Sequence, residues 1–277
     1  MSKKSVLHYY NDGDLLIFAD NTSFRVHKSI LKLAAPKLLQ KQEQENDLSS
    51  INVPDVSASI MDIALSIIYP RYFVMPTWAN VDALLSLASI YTINKVYVAG
   101  VTFLDLNFKK NPMYTFYLAD KYKLSFLFEE TSKLVLDRFP KYKEETAFKR
   151  LPLEVQSELI ARHMNYIHSF ANLSVNHFIS TYQHKCSNVA LHNKELNQEF
   201  EFRALSLVDQ PNKSPSTVWS MMHAPVNVTD GISCNNQFMS EHLPKMLKDI
   251  FGNFKCLDVD KDEENPKHYI YISRKKS

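Results

Sequence analysis

The sequence predicts an α+β fold: strands first, then a long run of helices, then a closing pair of strands. Three observations predict it. Residues 14–26, "DLLIFADNTSFRV", place two short apolar runs on either side of a polar turn. Apolar residues then recur at helical spacing to about residue 185. At the far end two alternating runs, "FKCLDVD" and "KHYIYIS", flank the polar, proline-bearing "KDEENP".

Each element follows from its residues. "NDGD" (Asn11–Asp14) is a turn, because Asp and Gly favour tight reversals. "LLIFA" has strand length, "DNTS" (Asp20–Ser23) reverses the chain, and "FRVH" puts Phe24 and Val26 on one face. "KSILKLAAPKLL" is helical, with Ile30, Leu31 and Ala34 on one stripe. Pro36 must break or restart that helix, since it lacks an N–H and its ring clashes with the preceding turn. "KQEQENDLSS" (residues 41–50) is a surface loop and "INVPD" (Ile51–Asp55) a short strand. "SASIMDIALSIIYP" sets Ile60, Ile63, Ala64, Ile67 and Ile68 on one helical face and closes near Pro70. "NVDALLSLASIY" repeats the pattern with Val81, Leu84, Leu85, Ala88 and Tyr91.

An internal echo follows. "LASIYTINKVY" (Leu87–Tyr97) aligns with "LADKYKLSFLF" (Leu118–Phe128) at one fixed offset, pairing Ala88 with Ala119, Tyr91 with Tyr122, Ile93 with Leu124 and Val96 with Leu127. Such a period suits a repeated helix-turn-helix unit. Phe128, Leu134, Val135 and Phe139 are expected core, and "PLEVQSELIARHMNYIHSF" is a helix with Pro152 in its first turn. Beyond residue 185 the pattern weakens. "NKELNQEF" is polar, "DQPNKSPS" reads as a loop or linker, and "SEHLPKMLKDIF" as a short helix.

Composition excludes several function classes. Hydrophobic residues at 45% and charged residues at 22% are globular values. A net charge of +2, with basic runs only at the ends, gives no nucleic-acid footprint. Four glycines in 277 residues, none clustered, cannot build a phosphate-cradling loop, a dinucleotide fingerprint or a nucleophile elbow. No run approaches the ~20 apolar residues of a membrane span. Cys186, Cys234 and Cys256 are widely spaced and imply no disulfide framework. No signal peptide is expected, and the compartment is expected to be reducing, cytoplasm or nucleus.

The chemical candidates are weak. His163, His168, His177, His184 and His192 crowd one region around Cys186. Zinc favours closely spaced Cys and His pairs. Here one thiolate stands alone, and His163 and His168 lie about 140° apart on a helix. A polar helix surface is expected there, with no metal and no cofactor. "DVDKDEEN" lacks the glycine and glutamate spacing of a calcium loop. His27 has only Ser29 as a neighbouring nucleophile, so catalysis is not expected.

The stretch Asp14-Leu15-Leu16-Ile17, then Phe24-Arg25-Val26-His27-Lys28-Ser29-Ile30-Leu31, resembles the signature of the BTB/POZ family. "INVPDVS", "IALSIIY" and "LLSLASIYTI" are similar to its next elements, in order. The resemblance implies a BTB/POZ domain over residues 12–108, a short mixed sheet flanked by helical hairpins. "PMYTFYLADKYKL" resembles the helical extension of a fungal type of BTB protein, which implies a helical extension over 109–185. A mixed region ending in the hairpin then fills 186–277.

The implied function is a non-enzymatic protein–protein interaction module, an adaptor or scaffold, with a cullin ubiquitin ligase as one candidate assembly and self-association as another. The alternative is a nuclear transcription regulator that recruits corepressors through its BTB domain. In BTB regulators the positions of Asp14 and Lys28 form a charged pocket, and His27 adjoins it. The alternative is that His27 and Lys28 merely cap and latch the hairpin onto the first helix. The aromatic segment with Tyr69, Tyr72, Phe73 and Trp78 is the expected contact surface, since aromatics dominate binding hot spots. Two departures accompany the resemblance. "MSKKSVLHYYN" is too short for the exchanged helix and strand of many BTB dimers, and "RYFVMPTWAN" lacks the Glu common in cullin-binding members.

Overall fold

Alternation decides the first sheet. In the computed structural model, which describes residues 2–44, 49–69, 74–171, 182–208, 214–222, 224–226, 232–245, 257–259 and 268–274, Leu15, Ile17 and Ala19 of β2 (Leu15–Ala19) face inward. They lie opposite Phe24 and Val26 of β3 (Thr22–Val26), with Ile17 across from Phe24 and Leu15 across from Val26. Asp20 makes the reversal with φ of 52°, a conformation that Asp tolerates better than most residues. β1 (Lys3–Tyr9) pairs in parallel with β3, and β4 (Ser50–Asn52) in parallel with β2. The order is β1-β3-β2-β4, a short mixed sheet.

Helices cover this sheet. α1 (Lys28–Ala34) stops at Ala35 and α2 (Pro36–Gln44) begins at Pro36, so the proline restarts the helix as expected. α3 (Ala58–Ile68), α4 (Val81–Tyr91) and α5 (Asn94–Asn107) complete the first unit, Met1–Phe108. Its core joins the inward sheet residues to Leu31, Leu65, Leu84 and Val96. Two glycines are fixed by close approach. A Cβ on Gly13 would lie 2.9 Å from the Val26 carbonyl oxygen, and one on Gly100 would lie 2.8 Å from the Leu85 side chain. Of the stripe expected on α3, Ala64 and Ile68 are buried, while Ile60, Ile63 and Ile67 are half-buried at the margin of the core and Met61 and Leu65 are buried beside them.

The second unit, Lys109–Ser277, has its own core. It opens with α6 (Pro112–Lys121) and α7 (Ser125–Asp137) and continues through the short α8 (Phe139–Tyr142) and α9 (Thr146–Lys149) to α10 (Leu153–Ala171). Then come α11 (Val189–Val208), α12 (Pro215–Met222) and α13 (Ile232–Gln237). β5 (Leu257–Val259) and β6 (His268–Ile270) pair antiparallel, the closing hairpin expected from the sequence. The expected boundary at 185/186 falls inside this unit.

The polar "NKELNQEF" lies within a 20-residue helix, α11, in which Leu196 and Phe200 are buried one turn apart and Lys194 and Gln198 are exposed. Of "DQPNKSPS", expected as a loop or linker, Pro215 and Ser216 open α12, with Pro215 a good first helical residue, and residues 209–213 lie outside the described residues. Of "SEHLPKMLKDIF", the residues through Lys245 are helical and the rest lie outside the described residues.

The sequence echo is a structural repetition. α4 ends at Thr92 with φ of 58°, and α6 is followed by Lys123 with φ of 59°. The Ile93 N–H donates to the Ala88 carbonyl at 2.9 Å, and the Leu124 N–H to the Ala119 carbonyl at 2.9 Å. Each turn then launches the next helix from the paired Ile93 or Leu124. Ala88 and Ala119 are both buried.

Candidate functional site

The hairpin end and the start of α1 meet at Asp14, His27 and Lys28. A helix start leaves N–H groups without partners. The Asp14 carboxylate accepts from the Lys28 backbone N–H at 2.7 Å, so the residue just before β2 caps α1. The contact is to the Lys28 main chain rather than its ammonium. His27 is the capping position, but its own side chain makes no capping bond. Its backbone N–H donates to the Tyr69 hydroxyl at 2.9 Å, and its Nδ1 lies 3.3 Å from the same oxygen. Its Nε2 faces the exposed Asp12 carboxylate at 3.3 Å. Asp12 is held below its ordinary value, chiefly by its own backbone N–H and then by His27.

Four rings gather here. Tyr10 stacks on Tyr69 with centroids 5.0 Å apart, and His27 and His8 flank the pair. His8 is buried in β1. Its Nε2 lies 2.9 Å from Ser66 Oγ and its Nδ1 lies 3.1 Å from the Tyr10 hydroxyl. Ser66 gives its own proton to the Asp62 carbonyl, so its oxygen accepts from His8 and the imidazole is protonated at Nε2. Ser5 adds a second stitch, donating to the Asp62 carboxylate at 2.8 Å. Asp62 and Ser66 sit four apart on one face of α3, so β1 is fastened to that helix. Burial pushes His8 below its ordinary value, against a smaller pull from Asp62. Neither β1 nor His8 was found in the sequence. The Asp62–Ser66 spacing opposite Ser5 and His8 becomes a signal only once strand and helix are known to touch.

A different cluster stands in the second unit. His184 and Cys186 lie on the segment before α11, His192 in its first turns, and Cys234 on α13. One ligating atom from each lies within 4.8 Å of every other. His184 Nδ1 is 3.3 Å from His192 Nδ1, which is 3.3 Å from Cys186 Sγ. Cys234 Sγ is 3.7 Å from His184 Nδ1 and receives the Lys185 N–H at 3.4 Å. Burial raises the Cys234 thiol, but the Lys185 N–H, the Tyr182 hydroxyl and Cys186 outweigh it, so the net direction is down. His184 is lowered, first by burial. The expectation that Cys186 stands alone is corrected. Its companion Cys234 is far along the chain, and local spacing gave no sign of it.

A comparison with protein families matches residues 7–108 to the BTB/POZ domain. Residues 7–108 are a BTB/POZ domain. A BTB/POZ domain is a protein–protein interaction module and is non-enzymatic. A search of curated proteins finds no match. Among the described residues no helix is long and apolar enough to cross a membrane.

Within the BTB domain the structure separates the expected contact residues. Tyr69 is buried in the ring cluster, its hydroxyl bonded to His27. Trp78 is half-buried and meets Phe103 of α5 edge-on at 5.0 Å. Tyr72 and Phe73 lie outside the described residues. Met75, in the same segment, is exposed. Val6 of the edge strand β1 and Leu33 of α1 are exposed too.

Proposed function

We propose that the chain is a non-enzymatic adaptor or scaffold. The observation that carries this is the division at Phe108: an interaction module occupies one unit, and a second unit with its own core follows. An adaptor needs two such parts, one for the assembly and one for the client. The ionisable groups around the hairpin cap a helix and fasten a strand, which are structural tasks. The exposed apolar side chains of the BTB domain favour protein contact. A cullin ubiquitin ligase in the cytoplasm or nucleus is the assembly we favour, with Met75, Tyr72 and Phe73 in the contact.

Affinity purification of the full chain from its native cells, with mass spectrometry of what accompanies it, tests this. A cullin recovered in stoichiometric amount, and lost with Met75→Glu or with Tyr72→Ala and Phe73→Ala together, is the expected result. Trp78 is left intact because its ring packs on Phe103. Clean recovery of the chain without a cullin overturns the ligase assignment. Recovery with no stoichiometric protein partner at all overturns the adaptor.

A further inference from the structure

We propose that His184, Cys186, His192 and Cys234 form a structural zinc site in the second unit. The chemistry and the spacing agree. Two thiolates and two imidazoles are a tetrahedral S2N2 donor set, which selects zinc among the common divalent ions. With Zn–N near 2.0–2.1 Å and Zn–S near 2.3 Å, a tetrahedron has N–N edges of about 3.3 Å and N–S edges of about 3.6 Å. The observed Nδ1–Nδ1 separation is 3.3 Å, and the two closest N–S separations are 3.3 and 3.7 Å. Both imidazoles present the same atom, Nδ1, and both sulfurs converge on that pair.

Charge fits as well. Two thiolates neutralise one divalent ion while the imidazoles stay neutral, so a site with two buried and two half-buried ligands gains no net charge. The backbone N–H of Lys185 points at Cys234 Sγ at 3.4 Å, and the Tyr182 hydroxyl donates to the Cys234 carbonyl at 2.9 Å. Such outer contacts orient ligands and hold a thiolate ready for metal. A cleft of about 200 Å³, lined by Lys185, Cys186, Ser187, Ser233, Cys234 and Gln237, includes both cysteines and offers an entry path.

Four protein ligands close the coordination sphere, so the ion does not activate water. Its task is to pin the segment Tyr182–Asn188 and the start of α11 to α13. The two ends of this clasp are 42 residues apart between His192 and Cys234 (234 − 192). The unfolded chain does not hold these four ligands together, so the free energy of metal binding adds to the stability of the folded state.

Metal analysis of the full chain, purified under reducing conditions and exchanged into buffer with one equivalent of Zn²⁺, is the first test. Retention of one zinc per chain is expected. Replacement by Co²⁺ is expected to give thiolate-to-cobalt charge-transfer bands and the intense visible bands of tetrahedral cobalt. Cys234→Ser and Cys186→Ser are each expected to weaken zinc binding by more than about 100-fold, the upper end of what even outer-sphere changes cost. His168→Gln, on α10, should leave it unchanged. Failure of the reduced wild-type chain to retain zinc overturns the proposal, with no variant needed. So does zinc retained undiminished in both serine variants, or an octahedral cobalt spectrum. A Cys186–Cys234 disulfide that persists in reductant would overturn it too.

Discussion

At the scale of single residues, the Asp14–Lys28 pair shows how one contact distinguishes two assignments. Residue types alone suit both a charged pocket and a latch. The distance of 2.7 Å from the Asp14 carboxylate to the Lys28 backbone N–H makes this a helix cap. Removing the Lys28 side chain should therefore leave stability unchanged, whereas Asp14→Ala should cost about 1 kcal/mol. Asp14→Asn, which still accepts, should lose little. Thermal melts of the three variants separate cap from charge pair. Arg203 is a stronger case that the sequence did not disclose. Its guanidinium donates to the carbonyls of Met221, Met222, Ala224 and Pro225, and to Glu199 at 2.8 Å. It gathers the orphan carbonyls at the end of α12, a task that follows only from where the chain turns. Lysine has the charge but not the planar fork. Arg203→Lys should cost about 2–4 kcal/mol, since each bond from a charged group is worth about 1.5–3 kcal/mol and several are lost. Denaturant unfolding, with hydrogen exchange followed over α12, measures it.

At the scale of elements, what was legible depended on whether the signal was local. The hairpin, the restart at Pro36 and the helix-turn-helix echo are written in consecutive residues, and each appears where expected. β1 is not, because Val6 and Leu7 face outward and only its contacts with α3 explain its residues. The repeated turn yields a prediction in turn. Thr92 is β-branched and held at φ of 58°. The left-handed conformation costs an ordinary residue about 1–2 kcal/mol, and glycine returns about 0.5–1 of that in chain entropy. Thr92→Gly should then stabilise the BTB domain by about 0.5–1 kcal/mol in chemical denaturation. The β1–α3 stitch should respond to pH. His8 is harder to protonate when folded than when unfolded. As pH falls through about 6.5, the ordinary histidine value, the unfolded chain takes up the proton first. This contribution to stability is therefore complete above that pH and is lost as pH falls toward the folded value. Denaturation midpoints over that range should slope downward with falling pH, and His8→Gln should flatten the slope.

At the scale of the whole molecule, the sequence divided the chain by pattern while contacts divide it by packing. Helical periodicity fades after residue 185, which suggested a separate terminal region. Yet Ile272 exchanges hydrogen bonds with Ser132 of α7, its N–H donating at 3.1 Å and its carbonyl accepting at 3.2 Å. Arg274 pairs with the buried Asp120 carboxylate and lies 4.9 Å over the Phe128 ring. No local pattern could announce a contact that spans 140 residues. Residues 268–274 are thus part of the core of the second unit, and their removal should be felt there. Ile270 and Ile272 are fully buried, and burying each is worth about 1.5–3 kcal/mol. Truncation after Lys267 deletes both and leaves the Asp120 carboxylate without its cation, a further several kcal/mol. The sum rivals the 5–15 kcal/mol that holds an ordinary domain folded. The truncated chain should lose hydrogen-exchange protection along α6 and α7, while Ile272→Ala alone should show a smaller loss confined to α7. Full protection of α7 in the truncated chain would return residues 268–274 to the status of an independent tail.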